Sequence, residues 1–401
     1  MRLQWVDLEH FRNLGRQKVH LHPRYNLLLG RNGQGKTNFL EAVGYLGSLR
    51  SIRAAGRGEM IRHGEKMCRV SGSTASVGLE RVLAFALTDK GRTQFLDDKK
   101  VISPEEYLQA LKVVHFIPED VGLVSGTPSW RRRVIDRSVF EVTPQYVSEY
   151  RRYLLALRQR NALLRKGRAS KGELESWNHA VASSGARLVR RRRQLIAGLN
   201  PIMEGLGERL GMERVPGLTY IASHEGEAPA DKAEGTSGSA DTMPGEHLAS
   251  DTAIEGGLLA RLASLAEKEI KRGYTMAGPH RDDIVFYQRR GSEKTNLARY
   301  GSQGQKRVAV LAFKLALAAL FNKANGTWPL VLLDDVASEL DETRRRALGK
   351  IIRETQAQFF ITTTGEDYMF LPADEGKIFQ VNKGWLEPFE ASERSGNGDG
   401  H

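Results

Sequence analysis

The 401-residue chain holds one cysteine, Cys68, so it can form neither an internal disulfide nor a multi-cysteine metal site. That scarcity suits a reducing, cytoplasmic setting. The longest apolar run, Val308 to Phe321, is broken by Lys314 and is too short to span a bilayer, and "MRLQWVDLEHFRNL" has no apolar export core. No membrane partner is expected. The histidines are scattered, and His280 in "AGPHRDDI" follows Gly278 and Pro279 in a turn without the ligand spacing of a zinc site. Sustained heptads are missing too, which excludes a long coiled coil.

What the chain has in excess is positive charge, a net +12. Between Arg131 and Arg193 stand seventeen Arg and Lys against five Asp and Glu, an excess equal to that of the whole chain. The rest is close to neutral. In "YRRYLLALRQRNALLRKGR" Leu and Tyr recur at three- and four-residue intervals, leaving the arginines on the remaining face of a helix. Arg131, Arg132, Arg133, Arg151, Arg152, Arg158, Arg160, Arg190, Arg191, Arg192 and Arg193 are the candidate contacts to a polyanion; a solvated charged face is the plainer alternative. Aromatic residues are few here, and no recognition-helix or finger motif is present. The expected partner is therefore a polyphosphate such as DNA, held mainly by its phosphates.

The pattern divides the chain. Strand-like runs "MRLQWVDL", "YNLLLG", "VLAFAL" and "VVHFI" fill the first third, and "DDIVFY", "PLVLLDDV", "AQFFITTT" and "KIFQVNKG" resume after residue 280. Between them lie helical patterns and a polar, Gly- and Pro-bearing stretch, 222–257, that reads as a mobile loop. The expectation is an α/β head with a mixed sheet, split into residues 1–125 and 271–387, around an inserted basic helical arm, 126–270. Residues 388–401 read as a disordered tail.

The sharpest motif is "NLLLGRNGQGKTNFLEAV". An apolar strand, Gly30, Arg31, Asn32, Gly33, Gln34, Gly35, Lys36 and Thr37, then an amphipathic helix, make a phosphate loop. Its glycines let backbone amides curl around phosphate oxygens, and the helix start adds partial positive charge. Lys36 would reach the β- and γ-phosphates of ATP, and the Thr37 hydroxyl would ligate Mg²⁺. In "PLVLLDDVASELD" a buried strand delivers Asp334 at its carboxyl end, placed to hold the Mg²⁺, with Asp335 beside it to deprotonate an attacking water. "GSQGQKR", ahead of the long apolar helix pattern, is an anion-binding helix start with Ser302 as a phosphate donor, or a simple Ser N-cap.

A phosphate loop, an insertion, "GSQGQ", an acid-ended strand and "SELD", in that order, resemble an ATP-binding-cassette ATPase of the SMC-like branch. "LEHFRNL", "GRNGQGKTNFLEA", "FIPEDVGLVSGTPSWRRRVIDR", "RNALLR", "TMAGPHRDDI", "YGSQGQKR" and "LLDDVASELD" narrow the resemblance to the RecF family of recombination mediators, from residue 2 to about 385. The resemblance implies an ATP-dependent homodimer, in which Ser302, Gln303, Gly304 and Gln305 close on the partner copy's nucleotide and Ser338 to Asp341 form an inter-subunit loop. It places Arg12 near the phosphates. It also implies recombinational repair linked to the SOS response, loading of the recombinase, and RecR and RecO as partners. Gln303 stands where most cassette ATPases have glycine. Thr362, Thr363 and Thr364 stand where a switch histidine is expected, and Glu119 and Asp120 occupy the region of the glutamine loop, which together imply slow hydrolysis. A non-hydrolysing scaffold is one alternative; an ATPase-linked nuclease is the other, though no suitable acid cluster follows residue 340.

Overall fold

The computed structural model describes residues 1–53, 55–76, 78–166, 171–225, 250–338, 340–365, 371 and 375–389. The chain begins with β1 (Arg2–Glu9), β2 (Gln17–His20) and β3 (Tyr25–Leu29), followed by helix α1 (Lys36–Ser48) and the single turn α2 (Arg57–Met60). Next come β4 (Met67–Ser76), β5 (Leu79–Thr88), β6 (Arg92–Leu96), β7 (Lys99–Val101), α3 (Pro104–Ala110) and β8 (Val113–Phe116). The basic segment is carried by α4 (Gly122–Ser125), α5 (Pro128–Val142), α6 (Tyr146–Arg165) and α7 (Lys171–Arg209), with β9 (Val215–Ile221) after it. Beyond α8 (Asp251–Arg272) lie β10 (Asp283–Arg290), β11 (Glu293–Asn296), α9 (Leu297–Tyr300) and α10 (Gln303–Asn325). Then follow β12 (Leu330–Leu333), α11 (Glu342–Glu354), β13 (Phe359–Thr363), β14 (Lys377–Asn382) and β15 (Trp385–Pro388).

These elements form two compact units. The first joins Met1–Asp120, Arg209–Gly211 and the described residues from Leu317 onward. It holds two six-stranded sheets, ordered β2-β1-β4-β5-β6-β7 and β15-β14-β3-β13-β12-β8. The former is antiparallel throughout. The latter pairs β14, β3, β13, β12 and β8 in parallel, with β15 as an antiparallel edge. Parallel strands are covered on both faces, so they read as continuous apolar runs rather than alternating ones. "LVLL" of β12 is buried at every position, as is "FFITT" of β13. Helix α1 contributes Phe39, Leu40, Val43 and Leu46 to a core shared with both sheets.

The second unit comprises Val121–Glu208 and Met212–Ala316. Helices dominate it, but β9, β10 and β11 form a sheet ordered β11-β10-β9. That pairing, from Asp283↔Ile221 to Arg289↔Val215, binds β10 to the arm region instead of the head sheet. The chain accordingly rejoins the first unit at Leu317, inside α10, and not at the expected residue 271.

The expected loop 222–257 is shorter than its composition suggests. Asp251 to Gly257 are the first turns of α8, because Ser250 caps the helix by accepting from the Ala253 amide at 3.2 Å, and Gly273 ends it in a left-handed turn. Residues 226–249 and 390–401, the rest of that loop and nearly all of the expected tail, lie outside the described residues. Helix α10 is longer than the apolar run that marks it and is long and apolar enough to cross a membrane by length and composition alone. Every residue from Val308 to Ala318 is buried within the protein, including Lys314, as in a core helix.

Candidate nucleotide site

The site follows from strand order. β13 lies between β3 and β12, so the phosphate loop after β3, the acids after β12 and the last residues of β13 converge at the carboxyl ends of three parallel strands. This is where open α/β sheets hold ligands. A cleft of about 370 Å³ opens there, lined by Asn32, Gly33, Gly35, Lys36, Thr37, Asp334 and Asp335 from the two motifs. Gly30 lies beneath the loop with φ +158°, and a Cβ on it would stand 2.4 Å from the Val381 carbonyl oxygen. Only glycine fits that approach. Gln34 turns away from the cleft: its carbonyl accepts from the Gly384 amide at 2.8 Å and its side chain from the Lys383 amide at 2.7 Å.

Lys36 is buried and curls back onto its own loop, donating to the carbonyls of Gly30 at 2.5 Å and Arg31 at 3.0 Å. Loss of solvent lowers its pKa, against the opposing pull of Asp335 and Asp334. The Thr37 hydroxyl donates to Asp334 Oδ1 at 3.0 Å, and the Thr362 hydroxyl to the same oxygen at 2.7 Å. Burial raises the Asp334 pKa despite these two bonds and the nearby Arg53. Asp335 sits at φ 49°, in the left-handed region, and its buried Oδ1 has no hydrogen-bond partner. A cation and a carboxylate are thus each short of solvation, and a second carboxylate oxygen is left open.

Sequence reasoning does not assign Asn38, Arg53 or Pro118 to the cleft, and it places Glu119 and Thr362 there only through the regions of the glutamine loop and the switch histidine; all five line it. Arg53 follows α1 on a loop without a motif, held by Asn38 Oδ1 at 3.2 Å, so nothing in its spacing announces it. Arg12 is absent from the lining. Its Nε donates to buried Glu41 at 2.5 Å, and Ser51 bonds the other oxygen of that carboxylate. Glu41 of α1 thus ties down both Arg12 and the loop carrying Ser51, while the neighbouring Asn13 donates to the Gly33 carbonyl of the phosphate loop at 3.4 Å.

Ser302 starts α10 in a reciprocal cap, its hydroxyl accepting from the Gln305 amide at 3.2 Å while Gln305 Oε1 accepts from the Ser302 amide at 2.9 Å. Ser302 and Gln303 are exposed, and Gly304 and Gln305 half-buried. The plain N-cap is thus present, on an accessible helix tip. At the other expected loop, Asp341 caps α11 by accepting from the Arg344 amide at 2.9 Å, and Glu339 lies outside the described residues.

Comparison with known proteins agrees with this architecture. The family model described as RecF/RecN/SMC N terminal domain matches residues 2–385. The DNA replication and repair protein RecF of Myxococcus xanthus is 36% identical over 91% of both chains. That of Anaeromyxobacter sp. (strain Fw109-5) is 37% identical over 97% of this chain and 99% of its own. The chain belongs to the RecF family. Two solved structures of the recombination mediator RecF, described with ATP and with ATPrS, are 27% and 26% identical with TM-scores of 0.79 and 0.78; they cover 96% and 97% of this chain, which covers 99% and 98% of theirs. An SMC head bound to the C-winged helix domain of ScpA, 15% identical with a TM-score of 0.57 over 98% of this chain and 99% of its own, shares the fold.

In this RecF-family chain the basic segment splits by burial. Arg160 is fully buried and bonds Glu269 at 2.6 Å, Asn178 at 2.7 Å and Thr275 at 2.8 Å. Arg192 is buried against Asp136 at 2.7 and 3.0 Å and the Pro279 carbonyl at 2.7 Å; Arg131 holds buried Asp283 through two bonds, at 2.8 and 2.7 Å. These three are corrected from DNA contacts to internal ties, because a buried guanidinium with each nitrogen bonded inside the protein is turned away from any phosphate. Arg132 is half-buried and donates to the Asp282 carbonyl, and Arg190, Arg191 and Arg193 pair with Asp251, Glu149 and Glu225. Arg133, Arg151, Arg152 and Arg158 are exposed. His280 is a half-buried structural residue, bonded to Tyr153 at 2.6 Å and the Thr275 carbonyl at 3.1 Å. Among the described residues no group of three or more His, Cys, Asp or Glu could hold a metal.

Proposed function

We propose that this chain is a DNA-repair ATPase that binds ATP in the cleft, dimerises on it, hydrolyses it slowly and grips duplex DNA through phosphate contacts. One observation carries the reading: a solvent-starved Lys36 faces Thr37, Asp334 and an unpartnered Asp335 oxygen in one cleft. The related structures described with ATP and its analogue support the choice of nucleotide. Lys36 exchanges the Gly30 and Arg31 carbonyls for β- and γ-phosphate oxygens, and the amides around Gly33 and Gly35 wrap the triphosphate. The donor set fits Mg²⁺: Thr37 and Asp334 offer hard oxygens 3.0 Å apart, with phosphates to supply further ligands. Bound there, Mg²⁺ neutralises charge on the β- and γ-phosphates. Asp335 accepts the proton of the attacking water. Slow turnover fits a site with Thr362 where a switch histidine is expected.

The exposed tip at Ser302–Gln305 closes on the γ-phosphate of a second copy, so two nucleotides hold the dimer together. Arg133, Arg151, Arg152 and Arg158 contact DNA backbone, with Arg132, Arg190, Arg191 and Arg193 adding longer-range field. In the cytoplasm, this protein marks gaps or junctions in damaged DNA, helps load the recombinase in an SOS-linked response, and works with RecR and RecO. Light scattering with ATP tests the core of the proposal. Ser302→Asp keeps the cap, since Asp is an equally good N-cap, but sets a carboxylate against the partner's triphosphate. It should bind ATP as the parent does and stay monomeric; a variant that still dimerises with ATP refutes this arrangement.

A further inference from the structure

We propose that Thr362 is a positioning residue that holds Asp335 in its working geometry, and that its hydroxyl is what does so. The inference rests on the ATPase reading above and gives a role to a side chain outside the two motifs.

The register of β13 places the residue. Ile361 pairs with Leu333, the last residue of β12, and Thr362 pairs with Leu28 of β3, so Thr362 reaches the cleft between the two motif-bearing strands. A hydroxyl has one proton to donate and lone pairs to accept with, and here both are used. Thr362 Oγ1 donates to Asp334 Oδ1 at 2.7 Å and accepts from the Asp335 amide at 2.8 Å. One oxygen atom thereby fixes the side chain of the first acid and the backbone of the second.

The second bond matters because Asp335 is in a conformation that L-residues resist, φ 49°. Something must hold it there. The Ser338 hydroxyl bonds the Asp335 carbonyl at 3.0 Å from one side, and Thr362 bonds its amide from the other. The outcome is a cleft-lining carboxylate whose buried Oδ1 is committed to nothing else. Thr362 is fully buried, so water has no ready route to replace it. The two threonines that follow do not help to hold Asp335, since the Thr363 hydroxyl is buried without a partner and Thr364 is exposed.

The test is single-turnover ATP cleavage with Mg²⁺ by the full chain, with nucleotide affinity measured separately by titration. The parent should cleave and Asp335→Asn should not; a parent that does not cleave overturns the ATPase reading and this inference together, and an Asp335→Asn variant that cleaves overturns this inference alone. Thr362→Val, nearly isosteric but without the hydroxyl, should cut the cleavage rate about 10²-fold, the scale of a misplaced catalytic group, with ATP affinity unchanged. Thr362→Ser should restore most of the rate. Thr362→Ala gives the same readout if the valine variant does not fold. A Val or Ala variant that cleaves at the parental rate, a Ser variant as slow as Val, or an equal loss of ATP binding overturns the inference while the parent and Asp335→Asn leave the ATPase reading standing.

Discussion

Buried charge is used in opposite ways in the two units. In the second unit Arg160 and Glu269 are both fully buried with every charged-group nitrogen and oxygen bonded, Glu269 also accepting from the Met276 amide at 2.6 Å. In the cleft of the first unit Lys36 makes do with two carbonyls of its own loop, and Asp335 keeps a buried oxygen without a partner. Burial costs a charge much of its hydration in either place. Where neighbouring groups make good that loss, the charge is architecture. Where they do not, the shortfall is the driving force for a ligand. Burial alone would have ranked the wrong arginines as functional.

Breaking the paired side should give the largest effect. Glu269→Ala leaves Arg160 buried without its carboxylate and should cost about 3–5 kcal/mol, read by denaturant unfolding, while a surviving native fraction keeps its ATP affinity. Next comes His280, whose pKa burial lowers to about 4. Between that value and the unfolded value near 6.5 the unfolded chain takes up a proton that the native state refuses. About 3 kcal/mol of stability should be present above pH 6.5 and lost as pH falls toward 4, and His280→Gln should flatten that slope in melts across the range. The comparison is sharpest at Lys36. Lys36→Met should weaken ATP about a hundredfold in titration, near 2.7 kcal/mol, yet leave the melting temperature equal or higher, because an apolar isostere needs no solvation. A marked fall in stability would mean that Lys36 is architecture after all. Least of all, Arg152→Ala with Arg158→Ala should leave folding and ATP binding alone and reduce the slope of log affinity for DNA against log salt by about 2, one for each lost phosphate contact.

The cleft was legible where chemistry and chain order coincide. Gly30 to Thr37 announce themselves because a phosphate loop needs those residues consecutively, and Asp334 because a buried apolar strand leads into it. Thr362 was visible only as a substitute for a missing histidine, since a threonine at a strand end has no spacing signature and its role arises from β13 lying between β3 and β12. The arginines misled for a helical reason. Consecutive residues on a helix step about 100°, so the four from Arg190 to Arg193 circle most of α7 and one of them must face inward. That one is Arg192. Arg160 lies seven residues after Tyr153 and fourteen after Tyr146, on the same buried stripe of α6, a periodicity present in the sequence but hidden by attention to charge. The start of α8 was lost to its Gly and Asp content, with Ser250 an overlooked cap.

The bonds from Gln34 to the turn at Lys383 and Gly384 have an implication for synthesis. β3 is flanked in its sheet by β13 and β14, and the floor beneath Gly30 is the Val381 carbonyl. A ribosome translating this message releases the complete glycine-lysine-threonine signature some 350 residues before it releases the backbone that shapes it. Nucleotide capture should therefore arrive late, as a property of the finished polypeptide, and a nascent chain stalled short of residue 384 would carry the emblem of an ATPase without the grip of one.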